Sequence, residues 1–128
     1  MANAVAITLP WPLPVLWPND RSHWAPKMMA VNSAKTHAFY AAKGAKAAFP
    51  RDSQLVVKVV GNAPSKRSYD GDNLQAACKA YFDGIATAIR IDDKHWRFDG
   101  VTKGEPVKGG QVVIILAPID PEAMARAA

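Results

Sequence analysis

The residues best suited to chemistry in this chain are its aspartates. Two stand one residue apart in Tyr69-Asp70-Gly71-Asp72-Asn73, and a second pair, Asp92-Asp93, follows Ile91 about twenty residues later. A small acidic set of this kind is sufficient for Mg²⁺, which takes hard oxygen ligands, keeps several waters, and lets a substrate phosphate complete its shell. An ion so held lowers the pKa of an attacking water and stabilises charge on the way to phosphodiester hydrolysis. A simpler role is open to each motif alone. Asp and Asn are favoured at helix N-termini, where they accept from free backbone N–H groups, and Asp-Asp is common in turns.

The segment after the first pair has the period of a helix. Over residues 73–89, Leu74, Ala77, Cys78, Tyr81, Phe82, Ile85 and Ile89 recur at three- and four-residue steps, which predicts one amphipathic helix. With Asp72 at zero on a wheel of about 100° per residue, Lys79 falls at roughly −20° and Asp83 at roughly +20°. A lysine there can steer a phosphate or stabilise transition-state charge. It can equally pair with Asp83 at i, i+4, for a few tenths of a kcal/mol. Spacing alone leaves both roles open.

The remaining elements must position these residues. Residues 4–9 read as a strand and 10–26 as a proline-rich loop, since each proline pushes its predecessor extended. Residues 27–46, rich in Ala, Met and Lys, read as a first helix with Met28 and Met29 packed inward. Residues 55–60 (LVVKVV) read as a strand, and 61–70 as a polar loop carrying Lys66 and Arg67. Residues 95–103 and 111–116 read as two strands joined in a hairpin through Lys108, Gly109 and Gly110. The order β-α-β-α-β-β predicts a single α+β domain with a mixed sheet, its core within 5–117 and a loose tail at 118–128.

Composition narrows the function classes. The chain has 128 residues, 49% hydrophobic and 21% charged, which predicts one folded domain rather than disorder. A formal charge of +5 suits a polyanionic partner. Residues 3–18 are uncharged but contain Pro10, Pro12, Pro14 and Pro18, so no targeting segment is expected, and no stretch reads as a membrane span. The lone Cys78 points to a reducing cytoplasm and excludes a metal site of several thiolates. His23, His37 and His95 lack zinc-site spacing. Arg21, His23, Trp24 and Lys27, in or beside the proline-rich loop, could bind phosphates and stack on an unpaired base. Core packing is the competing role for Trp24, and the favoured one. Lys35, Lys43, Lys46, Lys103 and Lys108 could extend a phosphate-binding surface.

Taken in order, D-x-D-N-L, a helix bearing Lys and ending near F-D-G-I, an aliphatic residue and D-D resemble the RusA Holliday junction resolvases. Residues 18–27 resemble the N-R-x-H-W-x-x-K stretch of phage-borne relatives, with Asp20 as an extra residue, and the glycine-led terminal hairpin also fits. The similarity covers roughly residues 5–117. It implies a homodimeric, Mg²⁺-dependent endodeoxyribonuclease, with Mn²⁺ able to substitute, acting in a bacterial host cytoplasm. Such an enzyme resolves four-way DNA junctions by paired symmetric nicks, as a two-fold dimer suits a two-fold substrate. The resemblance assigns the metal to Asp70, Asp72 and Asp93, with Asp92 as the alternative third ligand. Lys79 would assist catalysis, although some relatives carry that lysine at the position of Ala76. DNA contacts would fall on Arg21, His23, Lys27, Lys66, Arg67 and Tyr69, with packing as the other role for Tyr69. Two further classes remain: a branched-DNA or single-stranded-DNA binding module without catalysis, and a protein-interaction domain whose acidic turns are only helix caps.

Overall fold

Alternating burial along three strands shows how the sheet is covered. Ile7 and Leu9 of β1 (Val5–Pro10), Leu55, Val57 and Val59 of β2 (Leu55–Asn62), and Val112, Ile114 and Leu116 of β4 (Gln111–Pro118) are buried in one core. A two-residue period is what one covered face requires. The structure, a computed structural model, describes residues 4–21 and 24–119. Over the described residues it is a single α+β domain with a mixed four-stranded sheet and three α-helices.

The helices are α1 (Trp24–Gly44), α2 (Gly71–Ala77) and α3 (Lys79–Ile89). Helix α1 buries Ala30, Ala34, Ala38 and Ala42, one small residue per turn. That stripe lets α3 come very close, and Gly84 completes the approach. A Cβ at Gly84 would collide with the Lys35 carbonyl oxygen and press on Ala38. Helix α3 in turn lays Phe82 on β3 (Trp96–Lys103), against the rings of Trp96 and Phe98 at 6.1 and 4.9 Å between centroids.

The sheet order is β1-β4-β2-β3, with β2 parallel to β3 and antiparallel to β4. The expected hairpin between the last two strands therefore does not form. Strand β4 lies between β1 and β2, and β3 takes the edge on the far side of β2. The glycine turn is real, with φ of 80° at Gly109 and 74° at Gly110, but it serves a crossover. Residues 104–107 pass over the end of β2, with Gly104 N–H donating to Gly61 O at 2.8 Å and Val107 N–H to Ala63 O at 2.9 Å. A Gly-Gly signal marks where the chain turns and carries no information about which strand it then joins.

Two other expectations need correction. The single helix over 73–89 is interrupted at Cys78, whose φ of −86° and ψ of 1° end α2 before α3 begins. Neither proline nor glycine stands there to announce it. Trp24 is 75% exposed and Met29 73% exposed, with Met28 also on the surface, so none of the three is core. The small alanines fill the tight contact with α3, which leaves the larger apolar side chains of α1 outside. At the chain end, β4 runs on to Pro118, and Ile119 N–H donates to Gln54 O at 2.8 Å; residues 120–128 lie outside the described residues.

Candidate active site

Tyr69 anchors the acidic segment at its entrance. Its hydroxyl donates to Gly61 O at 3.1 Å, its ring makes a T-shaped contact with that of Trp11 at 5.1 Å between centroids, and Lys103 both donates to its carbonyl and lies 4.8 Å from its ring centre. Burial raises the Tyr69 phenol above its ordinary pKa. Of its two expected roles, packing is the one these contacts describe. From this anchor the chain turns into α2, with Asp70 as the N-cap: its Oδ1 accepts from Asn73 N–H at 3.0 Å. Asp72 follows in the first turn, exposed, and Gly71 rests on Val101 of the edge strand. Both carboxylates also lie at the helix end whose backbone favours negative charge.

The second acidic pair is fixed from the other side. Arg90, in the left-handed conformation at φ 61°, ends α3; Ile91 is buried, and Trp96 Nε1–H donates to its carbonyl at 3.2 Å. Asp92 then caps a short 3-10 turn (Asp93–His95), accepting from Lys94 N–H at 3.0 Å. That bond holds its carboxyl below the usual range. Asp93 bonds Lys79, whose Nζ donates to Asp93 Oδ2 at 2.7 Å and to Asp83 Oδ1 at 2.8 Å. These bonds, that to Asp83 foremost, raise the Lys79 ammonium above the ordinary lysine value against a smaller opposing effect of desolvation. The local i, i+4 pair expected on the helix thus exists, and it is extended by a carboxylate fourteen residues away in sequence.

Asp70, Asp72 and Asp93 offer the hard oxygen donors that suit Mg²⁺. Their placement is another matter. Among the described residues, no three acidic, histidine or cysteine side chains stand close enough together to hold a metal ion. Asp93 is committed to Lys79, and one oxygen of Asp70 is committed to its cap. The donor chemistry fits such an ion; the side chains as they stand do not assemble its cage.

Two clefts reach the neighbours of the acidic residues, one at Tyr69 and one at Lys79. One, of about 300 Å³, is lined by Lys66, Arg67, Tyr69, Lys103 and Glu105 among others. The second, of about 320 Å³, lies between α1 and the α2–α3 break and is lined by Lys27, Val31, Lys35 and Lys79 among others. Of the DNA-contact expectations, Lys66, Arg67 and Tyr69 share the first cleft and Lys27 enters the second. Arg21 is exposed outside both, and His23 lies outside the described residues. The sequence placed Asp83 beside Lys79 but gave Lys35 and Lys103 only a general part in a phosphate-binding surface. The i, i+4 spacing does announce Asp83, whereas Lys103 reaches Tyr69 only through the parallel pairing of β2 with β3.

No family model matches the chain. It is 35% identical over 121 residues to a protein of Xylella fastidiosa (strain Temecula1) described as an uncharacterized protein, over 92% of this chain and 79% of that one. Among the described residues, no helix is long and apolar enough to cross a membrane.

Proposed function

We propose that this chain, which belongs to one family with the Xylella fastidiosa protein, is a Mg²⁺-dependent endonuclease that resolves four-way DNA junctions. The observation that carries the reading is the bond from Lys79 to Asp93, which joins a lysine at the head of α3 to the Asp-Asp pair beyond its end. A lysine able to stabilise charge on a phosphate, bonded to one of the three carboxylates proposed as metal ligands, supports phosphodiester hydrolysis. The resemblance to the RusA resolvases, carried by the segment that holds both residues, adds the substrate, the paired nicks, the homodimer and the host cytoplasm.

Bound Mg²⁺, or Mn²⁺ in its place, would supply an acidified water and stabilisation of charge on the phosphate. Asp70, Asp72 and Asp93 are the residues proposed to hold it, which requires Asp93 to part from Lys79. Lys79 would keep its bond to Asp83 and present its remaining N–H groups to a non-bridging phosphate oxygen. The Tyr69 anchor and the Asp70 cap fix the backbone beneath the first two carboxylates. Lys66, Arg67 and Lys103 on one side and Lys27 on the other would engage flanking phosphates.

The test is cleavage of a labelled synthetic four-way junction beside linear duplex, with Mg²⁺ or EDTA, for the wild type and Asp72→Asn. Symmetric nicking of the junction that needs Mg²⁺ and disappears in the variant is expected. A second reading has its own support, because Asp70 and Asp93 are each already engaged within the protein. Binding of the junction without cleavage under Mg²⁺ or Mn²⁺ would establish that reading, a branched-DNA binding module.

A further inference from the structure

We propose that the groove between α1 and the α2–α3 break is the seat of one unpaired nucleic-acid strand, its phosphates on Lys27 and Lys35 and its sugar and base faces on the apolar floor. The inference rests on the nuclease reading, because that reading places the reacting phosphate at the groove's Lys79 edge. The groove measures about 320 Å³, at the small end of the range for ligand clefts. Its α1 wall presents Lys27, Val31 and Lys35 at i, i+4 and i+8, so one stripe of the helix offers a cation, an apolar contact and a second cation. At a rise of 1.5 Å per residue the two lysines stand about 12 Å apart along the axis. Leu16 and Ala80 are among the apolar residues that close the groove.

The balance of charge favours an anion. Three lysines, Lys27, Lys35 and Lys79, face a single aspartate, Asp83, and that carboxylate is already bonded to Lys79. Neither Lys27 nor Lys35 has an ion-pair partner among the described residues. A strand fits better than a duplex. A duplex presents mainly phosphates and groove edges, whereas an unpaired strand offers sugar and base faces to apolar side chains and phosphates to lysines at once. At its far edge the groove shares Lys79 with the acidic residues, so a strand lying along α1 would be delivered to Asp93.

The experiment is fluorescence anisotropy of a labelled oligothymidine in EDTA, across a series of salt concentrations. The proteins are the wild type, the double variant Lys27→Gln/Lys35→Gln, and Lys58→Gln. The last removes an exposed charge from β2, outside the groove. The double variant is expected to weaken binding about tenfold or more and to lower the slope of log affinity against log salt by about 1.4, two phosphate contacts at roughly 0.7 each. Lys58→Gln should change affinity less than about twofold. The proposal falls if the double variant binds like the wild type, if Lys58→Gln weakens binding as much, or if the wild type does not bind the strand. The nuclease reading fails separately. A junction left uncut while the lysine variants lose strand binding removes the nuclease and keeps the groove; normal cutting with unchanged strand binding removes the groove alone.

Discussion

Asp83 and Gly84 are neighbours on α3, yet Gly84 faces a contact with no room for one more carbon while Asp83 holds an ammonium at the surface. The α1–α3 seam is made of Ala34, Ala38, Ala42 and Gly84, and the core it belongs to includes no buried polar or charged side chain among the described residues. The acidic edge is the reverse. Asp70, Asp72, Asp92 and Lys79 are exposed, Asp93 is half-buried, and the bonds they make are local caps or ion pairs. Close packing makes the seam stiff and intolerant of added volume. Exposed ion pairs contribute little to stability, so an edge built from them can exchange partners without unfolding its support.

The largest effect should come from the seam. Gly84→Val puts a branched side chain against the Lys35 backbone, which cannot rotate aside as a flexible side chain would. A loss of about 3 kcal/mol or more is expected in urea unfolding, at or beyond the usual range for overpacking. Gly44→Ala is the matched control. Nothing lies within 4 Å of a Cβ there, so a gain of up to about 1 kcal/mol is expected from the lower entropy of the unfolded chain. Similar stability for the two variants would mean that the seam is looser than its contacts imply.

The edge should give the opposite pattern. Lys79→Met is expected to change stability by less than about 1 kcal/mol, since the lysine side chain is 62% exposed. The same change should slow junction cleavage on the order of 10²-fold if Lys79 contacts the phosphate. Its pH dependence has a definite sign. Lys79 is raised in the folded protein, so its small stabilisation is fully present below the unfolded value of about 10.4 and is lost as pH climbs through the higher folded value. The gap between wild type and variant in urea unfolding should therefore hold from neutral pH to about 10 and narrow above it. A gap that narrows below pH 9 would show that the Lys79 bonds do not set this dependence.

Cys78, at the joint between the two regions, sharpens the comparison. The thiol is fully buried, and burial pushes its pKa up to about 12. Reaction with Ellman's reagent at pH 8 should be slower in the native protein than in urea by on the order of 10²-fold or more. Fast native labelling would mean that the α2–α3 break opens on its own, which would place the mobile point under the acidic edge.

What was legible in the sequence follows the same division. The β-branched apolar runs LVVKVV and QVVIIL located β2 and β4, because such side chains suit a pleated, half-buried surface. The three- and four-residue period likewise located α3 and its Phe82 and Ile85 face. Register was not legible. Nothing in Lys108-Gly109-Gly110 tells a hairpin from a crossover, because pairing β3 with β2 is decided by the whole sheet. The break at Cys78 was equally hidden, since the apolar period runs through it. In the candidate site, Asp70, Asp72, Lys79 and Asp93 were readable from spacing and resemblance. That Lys79 bonds Asp93 was not, for it depends on the Arg90 turn that brings the chain back along α3.

Trp24 gives the smallest effect on stability and the clearest separation of the two regions. A core tryptophan truncated to alanine costs about 3–5 kcal/mol, and composition alone favours that role. In the structure the side chain is 75% exposed at the head of α1, three residues before Lys27. Trp24→Ala should therefore change unfolding stability by no more than about 0.5 kcal/mol. If the ring stacks on a base at the junction, the same variant should weaken junction binding about fivefold, the equivalent of 1 kcal/mol at the low end for base–aromatic stacking. Anisotropy in EDTA and urea unfolding read the two quantities on one preparation. A loss of several kcal/mol would return Trp24 to the core and extend the apolar seam to the head of α1. Unchanged binding with unchanged stability would leave the ring without a part in DNA contact and confine recognition to the lysines.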